Sequence, residues 1–237
     1  MKLSLRSLRA GYYRMISAQT VCLNGVKVYS GTTLPDDVRE QLYRGTYEFG
    51  ERELLGSAVQ QSDRVLEFGA GMGIIGLVAS RMSGPQGAVM SVEANSTLEP
   101  LILSNQRLNA AKIVPPQLVF SAVNSDGRDV QFHCNKDILS SSVIDRGKQS
   151  TSIIVPGRMA SELVDSFKPT VLIMDIEGAE LEVVPSIPYA GIRAVVIEIH
   201  EKLIGPDNVV RILSHLESQR FTLMKKLHGN YLFQRRG

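Results

Sequence analysis

The stretch that decides the fold is VLEFGAGMGIIG at residues 65–76. An apolar run climbs to Glu67, glycines follow at positions 69, 71 and 73, and the chain is then apolar again. This order is typical of a buried parallel strand that passes through a tight turn directly into a helix. Glycine suits such a turn because it adopts backbone angles that other residues avoid and lets a ligand approach the main chain. The stretch therefore predicts a turn that holds a nucleotide-like cofactor.

Strands and helices alternate on both sides of this stretch. Buried apolar runs predict strands at 64–68, 88–92, 117–123, 170–174 and 194–199. Helical spacing of apolar residues predicts helices at 74–82, 96–110, 158–166 and around 209–216. This alternation indicates an α/β fold with a mostly parallel, Rossmann-like sheet and helices on both faces. The closing segments 221–227 and 231–235 predict an antiparallel hairpin at the edge of that sheet.

Two regions depart from the alternation. Residues 1–45 are predicted to form a cap segment, with a hairpin over 21–29 and a helix over 35–42, and residues 46–237 the main domain. Asp126-Gly127 predicts a turn that pairs 118–123 with 130–134. The polar, serine-rich segment 137–152 is predicted to be a mobile loop that covers a site. The chain is therefore interpreted as a single domain with a cap.

Composition excludes several classes of protein. With 237 residues, 43% hydrophobic and 21% charged, the chain has the material for one large folded domain. Its formal net charge of +2 does not indicate a nucleic-acid partner. Cys22 and Cys134 are isolated and indicate a reduced chain without a disulfide framework. Because the sequence shows neither a secretory leader nor a run of about 18 apolar residues, we expect a cytoplasmic protein without membrane association.

The glycine turn fits two cofactor templates. Gly71, Gly73 and Gly76 satisfy G-x-G-x-x-G, the pattern of a dinucleotide-binding unit. Glu67, Gly69, Gly71 and Gly73 satisfy E-x-G-x-G-x-G, the first motif of S-adenosylmethionine-dependent methyltransferases. A carboxylate at Glu67 beside the turn would repel a pyrophosphate and favour the ammonium and sulfonium groups of S-adenosylmethionine. The acidic residue therefore favours the second template.

Polar residues follow four of the predicted strands, namely Glu67, Glu93, Asp175 and His200. The carboxyl ends of parallel strands meet at one edge of a sheet, so one crevice can hold all four. Glu93 is placed to accept hydrogen bonds from both ribose hydroxyls of either cofactor. His200 has the pKa range of a general base that deprotonates a hydroxyl acceptor, and Asp175 is an alternative.

Acidic and aromatic residues near the predicted crevice can have either a functional or a structural role. Glu177 faces the site or caps the helix that follows it. Asp175, Glu177 and His200 offer oxygen and nitrogen ligands, but their wide spacing does not favour a metal centre, and we expect none. Tyr47 and Glu48 close over the cofactor or serve as ordinary packing before the first strand.

Several segments together resemble the FkbM-type methyltransferase family, over about residues 24–200. The segments are GTYEFGERELL at 45–55, VLEFGAGMGIIG at 65–76, SVEAN at 91–95, SAVNSDG at 121–127, MDIEGAE at 174–180 and VVIEIHE at 195–201. The D-x-E-G-A-E core at 175–180 is the most diagnostic. The usual first motif of the family is an acid followed by G-A-N-x-G, and Gly71 replaces its asparagine here.

This resemblance implies a class I methyltransferase fold with a seven-stranded sheet that binds S-adenosylmethionine. It also implies methylation of a hydroxyl on a small-molecule or carbohydrate acceptor. The residues it implies for cofactor binding are Glu67, Gly69, Ala70, Gly71, Gly73, Glu93, Ala94, Asn95, Ala122 and Asp175. The residues it implies for catalysis are His200, Asp175 and Glu177.

Two other functions fit parts of the pattern. A nicotinamide-dependent oxidoreductase would use GMGIIG and Glu93, but no Tyr/Lys or Cys/His constellation accompanies them. A methyltransferase-like protein that binds a partner without catalysis would suit the basic ends, although Glu67 and Glu93 argue against it. The sequence carries no signal for an oligomeric state.

Overall fold

The computed structural model of the chain describes residues 4–134 and 151–236, which are built around one large sheet. The strands are β1 (Thr20–Leu23), β2 (Val26–Tyr29), β3 (Arg64–Phe68), β4 (Ala88–Glu93), β5 (Gln117–Phe120), β6 (Ala122–Asn124), β7 (Val130–Cys134), β8 (Thr151–Val155), β9 (Gly157–Met159), β10 (Val171–Met174), β11 (Ala194–Glu198), β12 (Phe221–Leu227) and β13 (Asn230–Arg235). The helices are α1 (Leu5–Met15), α2 (Asp36–Arg44), α3 (Phe49–Ala58), α4 (Ile74–Ser83), α5 (Glu99–Asn109), α6 (Ala160–Phe167), α7 (Glu180–Val183), α8 (Glu201–Ile204) and α9 (Pro206–Ser218). Across these two ranges, none of the helices combines the length and the apolar character needed to cross a membrane.

The main sheet has seven strands in the order β12-β13-β11-β10-β3-β4-β5. Six strands are parallel, and β13 runs antiparallel between β11 and β12. This arrangement confirms the predicted α/β fold, its seven strands and its closing antiparallel hairpin. The strand order reverses beside β3, because β4 and β5 lie on one side of it and β10 and β11 on the other. Ligands bind beyond the carboxyl ends of the strands at such a reversal.

Alternate residues of the central strands face two separate cores. Val65 and Ile173 pack on one face with the side chains of α3 and α4, such as Leu54. Leu66 and Leu172 pack on the other face with α6 and α9. Because helices cover both faces, the central strands are buried throughout, as a continuous apolar run predicts.

The N-terminal segment is joined to α5 through two asparagine side chains. Asn109 Oδ1 accepts the Lys27 N–H at 2.9 Å, and its Nδ2 donates to the Lys27 carbonyl at 2.7 Å. Asn105 Oδ1 accepts the Tyr29 N–H at 2.8 Å, while its Nδ2 donates at 3.0 Å to the carbonyl of Met72 in the glycine turn. The predicted hairpin and the helix after it are confirmed as β1–β2 and α2. A boundary near residue 45 stays a prediction.

The hairpin predicted between 118–123 and 130–134 is wrong. Strand β5 joins the main sheet, β6 pairs in parallel with β9, and β7 pairs antiparallel with β8. The Asn124 side-chain oxygen accepts the Gly127 N–H at 2.6 Å, so the chain makes a local polar bend here instead of a hairpin turn. Residues 137–150 of the predicted loop lie outside the described residues. The last two residues of the prediction, 151 and 152, belong to β8.

An ion pair between the buried Asp63 and the partly exposed Arg193 connects the amino ends of three neighbouring strands. Asp63, before β3, accepts hydrogen bonds from the Thr170 hydroxyl at 2.7 Å and the Gln60 N–H at 2.6 Å. Arg193, before β11, pairs with the same carboxylate and donates to the Ala58 carbonyl at 2.8 Å. Because the Asp63 side chain is only 7% exposed, loss of this carboxylate leaves several donors without an acceptor.

We expect Asp63→Ala to lower the free energy of unfolding by about 2–4 kcal/mol, because removal of one partner leaves an uncompensated charge. Denaturant unfolding followed by circular dichroism measures the change. The control is Asp165→Ala, whose pair with Lys168 is exposed (65% and 74%) and should contribute less than about 1 kcal/mol. Equal effects of the two substitutions would contradict this account of the amino edge.

Candidate active site

The glycine turn after β3 crosses directly over the end of the neighbouring strand β10. Gly69 has a φ of +88°, and a Cβ at this position would lie 1.7 Å from the backbone oxygen of Asp175. The N–H groups of Gly69 and Ala70 donate to the Val92 carbonyl at 2.9 and 3.2 Å. A side chain at position 69 therefore clashes with the backbone and requires an unfavourable conformation. The turn is held between the ends of β4 and β10.

Glu93, the last residue of β4, anchors the glycine turn through its carboxylate. Oε2 accepts the Gly71 N–H at 2.8 Å, and Oε1 accepts the Asn95 N–H at 2.8 Å. Burial raises the pKa of Glu93, and these hydrogen bonds oppose the shift. The backbone N–H groups of Ala70 and Ala94 also stabilise the carboxylate, so its orientation is fixed by the turn and by the end of β4.

Glu67 lies beneath the turn, which corrects its interpretation as a charge that contacts the cofactor. Its side chain is fully buried, Oε2 accepts a hydrogen bond from the Ser91 hydroxyl, and the Gly76 N–H also donates to the carboxyl group. Burial raises the pKa of Glu67 to about 8, although the Ser91 hydrogen bond opposes the shift. The pleat of β3 directs this side chain toward α4, so Glu67 supports the turn as a largely neutral acid at pH 7.

A cavity of about 370 Å³ opens beyond the carboxyl ends of the central strands, a size that suits a small-molecule site. The predicted site residues on its wall are Gly69, Gly71, Glu93, Ala94, Asn95, Ala122, Asp175 and Glu177. Tyr47 and Glu48, which precede α3, also line it. Ala70 and Gly73 shape the turn from outside the wall, and Gly73 precedes α4 with Ile102 against it.

The cavity wall is strongly acidic. Its charged residues are Glu48, Glu51, Glu93, Asp175, Glu177 and Glu198, and among the described residues that line it there is no lysine, arginine or histidine. Burial and the charge of Asp175 raise the pKa values of Glu48 and Glu51 well above their usual range. Because the whole chain has a net charge of +2, this concentration of acids is local. Such a wall holds protons when it is empty, and it favours a cationic ligand, which would replace those protons, over an anion such as a pyrophosphate.

His200 lies behind this wall and contacts three carboxylates. Its Nδ1 is 2.9 Å from Oε1 of the fully buried Glu180. Its Nε2 is 3.6 Å from Asp175 Oδ1 and 3.7 Å from Glu177 Oε2. Burial alone would lower the pKa of His200, but the Glu180 hydrogen bond and the charges of Asp175 and Glu177 outweigh it and raise the pKa to about 9. The predicted catalytic residues His200, Asp175 and Glu177 are therefore brought together.

Asp175 joins the His200 cluster to the cavity. Its backbone N–H donates to the Phe68 carbonyl at 2.9 Å, which fixes it at the start of the β10–α7 connection. Burial and the charge of Glu198 raise the pKa of Asp175 to about 8, and the charge of His200 opposes the shift. Its Oδ1 atom is buried without a hydrogen-bond partner among the described residues. The His200 ring, with Nε2 at 3.6 Å, lies beside this oxygen.

The sequence analysis missed Glu51, Glu198 and Asn230 on the cavity wall. Glu198 is the last residue of β11 and accepts a hydrogen bond from the Asn230 side chain. The rule that polar residues follow strands applies to Glu198, but the predicted strand extended one residue too far and pointed to His200 alone. Glu51 lies in the first turn of α3, where its neighbours are also buried, so no periodicity distinguishes it.

Comparison with protein families gives a match to the methyltransferase FkbM domain over residues 68–223, more than half of the chain. A comparison with curated proteins gives no match. The family match includes the end of β3, the glycine turn, Glu93 and the whole His200 cluster.

Solved structures with a similar architecture include two methyltransferases. The methyltransferase FkbM from Methylobacillus flagellatus KT is 14% identical, with a TM-score of 0.49 over 85% of this chain and 56% of that chain. The precorrin-6y C5,15-methyltransferase from Geobacter metallireducens GS-15 is 13% identical, with a TM-score of 0.47 over 78% of this chain and 87% of that chain.

Replacement of Glu67 by glutamine is expected to reduce the pH dependence of stability. The pKa in the folded chain is about 8 against an ordinary 4.5, so the protonated acid stabilises the fold. This contribution is complete below pH 4.5 and is lost as the pH rises through 8. Denaturant unfolding between about pH 5 and pH 8 measures this effect. The free energy of unfolding of the wild type should fall more steeply than that of Glu67→Gln, by up to about 1.4 kcal/mol per pH unit.

The matched control for this measurement is Glu99→Gln, an exposed acid at the start of α5. Its stability should follow that of the wild type across the same pH range. Parallel curves for the wild type and Glu67→Gln would show that the buried carboxyl does not titrate as described.

Proposed function

Because the chain belongs to the FkbM methyltransferase family, we propose that it transfers a methyl group from S-adenosylmethionine to a hydroxyl of a small molecule or a carbohydrate. The observation that carries the proposal is the cavity wall, where the glycine turn, Glu93 and Asp175 face one space beyond the carboxyl ends of the strands. This is the place where open parallel sheets bind nucleotide-like ligands.

Glu93 and the glycine turn form the proposed cofactor subsite. The Glu93 oxygens are held by the backbone N–H groups of Gly71 and Asn95, so they are oriented to accept the ribose hydroxyls. Gly69 and Gly71 leave the main chain accessible, and Ala94 and Ala122 line the same wall. S-adenosylmethionine, when bound here, supplies a methyl group already activated on its sulfonium sulfur.

The charge of the wall supports this cofactor over a nicotinamide dinucleotide. Glu48, Glu51 and Asp175 favour a ligand that carries ammonium and sulfonium groups. A pyrophosphate needs cationic or N–H donors, and the described lining residues include no lysine or arginine. The sequence analysis ascribed the preference for a cationic cofactor to Glu67. We assign this preference to Glu48, Glu51 and Asp175 instead.

The His200 cluster is proposed to act on the acceptor. A well-aligned hydroxyl gains a large rate advantage from orientation alone, and removal of its proton by a nearby base adds about 10²–10⁴-fold. His200 is oriented by Glu180 with Nε2 toward Asp175. The proton of the acceptor hydroxyl passes to the deprotonated form of the Asp175–His200 pair as the oxygen takes the methyl group and S-adenosylhomocysteine leaves. With pKa values of about 8 and 9, this form becomes more populated as the pH rises.

Isothermal titration calorimetry with S-adenosylmethionine and with NAD tests the cofactor. We expect saturable binding of S-adenosylmethionine and none of NAD, and the reverse result would overturn the proposal. Transfer of a labelled methyl group into a panel of small hydroxylated molecules, amines and carbohydrates then tests the acceptor class. Labelling of amines alone would replace the hydroxyl assignment with a nitrogen acceptor.

Glu93→Ala is expected to weaken the affinity for S-adenosylmethionine by at least about tenfold, because hydrogen bonds to a charged group contribute about 1.5–3 kcal/mol. Calorimetry measures the dissociation constant, and circular dichroism verifies the fold of the variant. Glu99→Ala, at an exposed position on the next helix, should keep the wild-type affinity. An unchanged constant for Glu93→Ala would remove the ribose assignment.

His200→Ala is expected to lower the turnover by about 10²–10⁴-fold, because it removes the proposed proton acceptor. Its affinity for S-adenosylmethionine should change much less, since His200 lies behind the cavity wall. Initial rates with the labelled acceptor and calorimetry with the cofactor separate the two effects. The control is His228→Asn, in the exposed turn between β12 and β13. Full activity of His200→Ala would transfer the role to Asp175.

A further inference from the structure

Three side chains at the carboxyl ends of β10 and β11 converge on one point. One oxygen each of Asp175 and Glu198 and one ring nitrogen of His200 all lie within 4.8 Å of one another. The two strands are adjacent and parallel, with Met174 beside Ile197, so the sheet itself holds these residues together. The spacing is close enough for the three atoms to bind one ion after small side-chain movements. The sequence analysis considered Glu177 in place of Glu198 and did not favour a metal.

The imidazole of His200 is oriented in the way that metal-binding histidines usually are. Glu180 Oε1 lies 2.9 Å from Nδ1, and the Glu180 side chain is fully buried. A carboxylate at this distance accepts a hydrogen bond from Nδ1, so Nε2, 3.6 Å from Asp175 Oδ1, is the nitrogen that would bind an ion once its proton is displaced. Metal-ligating histidines almost always donate their other N–H to such a partner, which fixes the ring and increases its basicity as a ligand.

An independent observation comes from Glu51, on a different element of the fold. Glu51 is only 3% exposed and lines the same cavity, and no residue in 4–134 or 151–236 forms a hydrogen bond or an ion pair with its carboxyl group. It is close enough to Asp175 and Glu198 for their charges to act on it. A carboxyl group in such a place either keeps its proton or is compensated by a cation. The cavity therefore presents a buried, unpartnered acid directly beside the convergent ligands.

We propose that Asp175, Glu198 and His200 bind a divalent cation at the floor of the cavity, and that this cation holds the acceptor hydroxyl. Two carboxylate oxygens and one imidazole nitrogen suit Mn²⁺ and similar ions, because carboxylates favour Mg²⁺, Ca²⁺ and Mn²⁺ while imidazole favours the transition metals. Three protein ligands leave open coordination positions toward the cavity for an acceptor oxygen and water.

The cation would change the role of His200. With the ion bound, His200 and Asp175 act as ligands, and the positive charge orients the acceptor oxygen and favours the loss of its proton to water. Glu51 would then partly neutralise the added charge without binding the ion itself. This inference rests on the proposed methyltransferase function for the identity of the acceptor, but the cation site itself is tested without it.

Titration of the chelator-treated, full-length protein with Mn²⁺ tests the site. Electron paramagnetic resonance measures the loss of the free Mn²⁺ signal, and calorimetry gives the stoichiometry. We expect one saturable site per chain and a rise in melting temperature with added Mn²⁺. Competition by Mg²⁺ and Zn²⁺ ranks the preference among ions. Absence of a saturable site would overturn the proposal.

Variants assign the site to the three residues. Glu198→Gln should weaken Mn²⁺ binding by at least about tenfold, and Glu180→Gln by about 10–100-fold through the orientation of His200. The control Glu201→Gln, an exposed acid three residues after Glu198, should bind as the wild type does. If a variant fails to fold, Asp175→Asn replaces it. Equal affinity in Glu198→Gln and the wild type would overturn the assignment.

Titration with S-adenosylmethionine in the same samples separates this proposal from the proposed function. Intact cofactor binding without a Mn²⁺ site would leave the methyltransferase proposal standing and remove only the cation. Mn²⁺ binding without cofactor binding would support the cation site and remove the methyltransferase proposal.

Discussion

The close approach of the glycine turn to the end of β10 is the constraint on which the site depends. Only a hydrogen atom fits between Gly69 and the backbone oxygen of Asp175, so the turn and the β10–α7 connection are held at a fixed separation. The same turn is bound on its other side by Glu93. Backbone contacts thus fix the distance between the two sides of the cavity. The sheet then determines where the side chains that line the cavity lie.

Acidic residues are concentrated at the carboxyl ends of the sheet strands, although the net charge of the chain is only +2. Six acids line one cavity, and His200 lies behind them with Glu180. Mutual repulsion and burial favour the uptake of protons or cations by this cluster. Both the proposed cofactor, which carries two cationic groups, and a divalent ion would relieve the same surplus of negative charge. The amino edge, in contrast, is neutralised internally by the pair between Asp63 and Arg193.

Much of this architecture could be predicted from the sequence because local patterns decide it. The central strands, the glycine turn and the position of Glu93 follow from apolar runs and glycine spacing, and the family resemblance is confirmed by the match over residues 68–223. The position of Glu67 depends on the pleat of β3, which directs it toward α4 instead of the strand end. The pairings of β6 with β9 and of β7 with β8 join segments distant in sequence, so Asp126-Gly127 misleads a local interpretation. Glu51 and Glu198 meet only in the folded chain.

Asn105 connects the N-terminal segment of the chain to the glycine turn. One amide side chain joins the hairpin strand β2 to the carbonyl of Met72 inside the glycine turn. A displacement of the hairpin is thus transmitted through a single side chain to the backbone of the glycine turn, which borders the cavity. The first thirty or so residues therefore support the glycine turn, and we expect a fusion partner or a shortened amino terminus to loosen it.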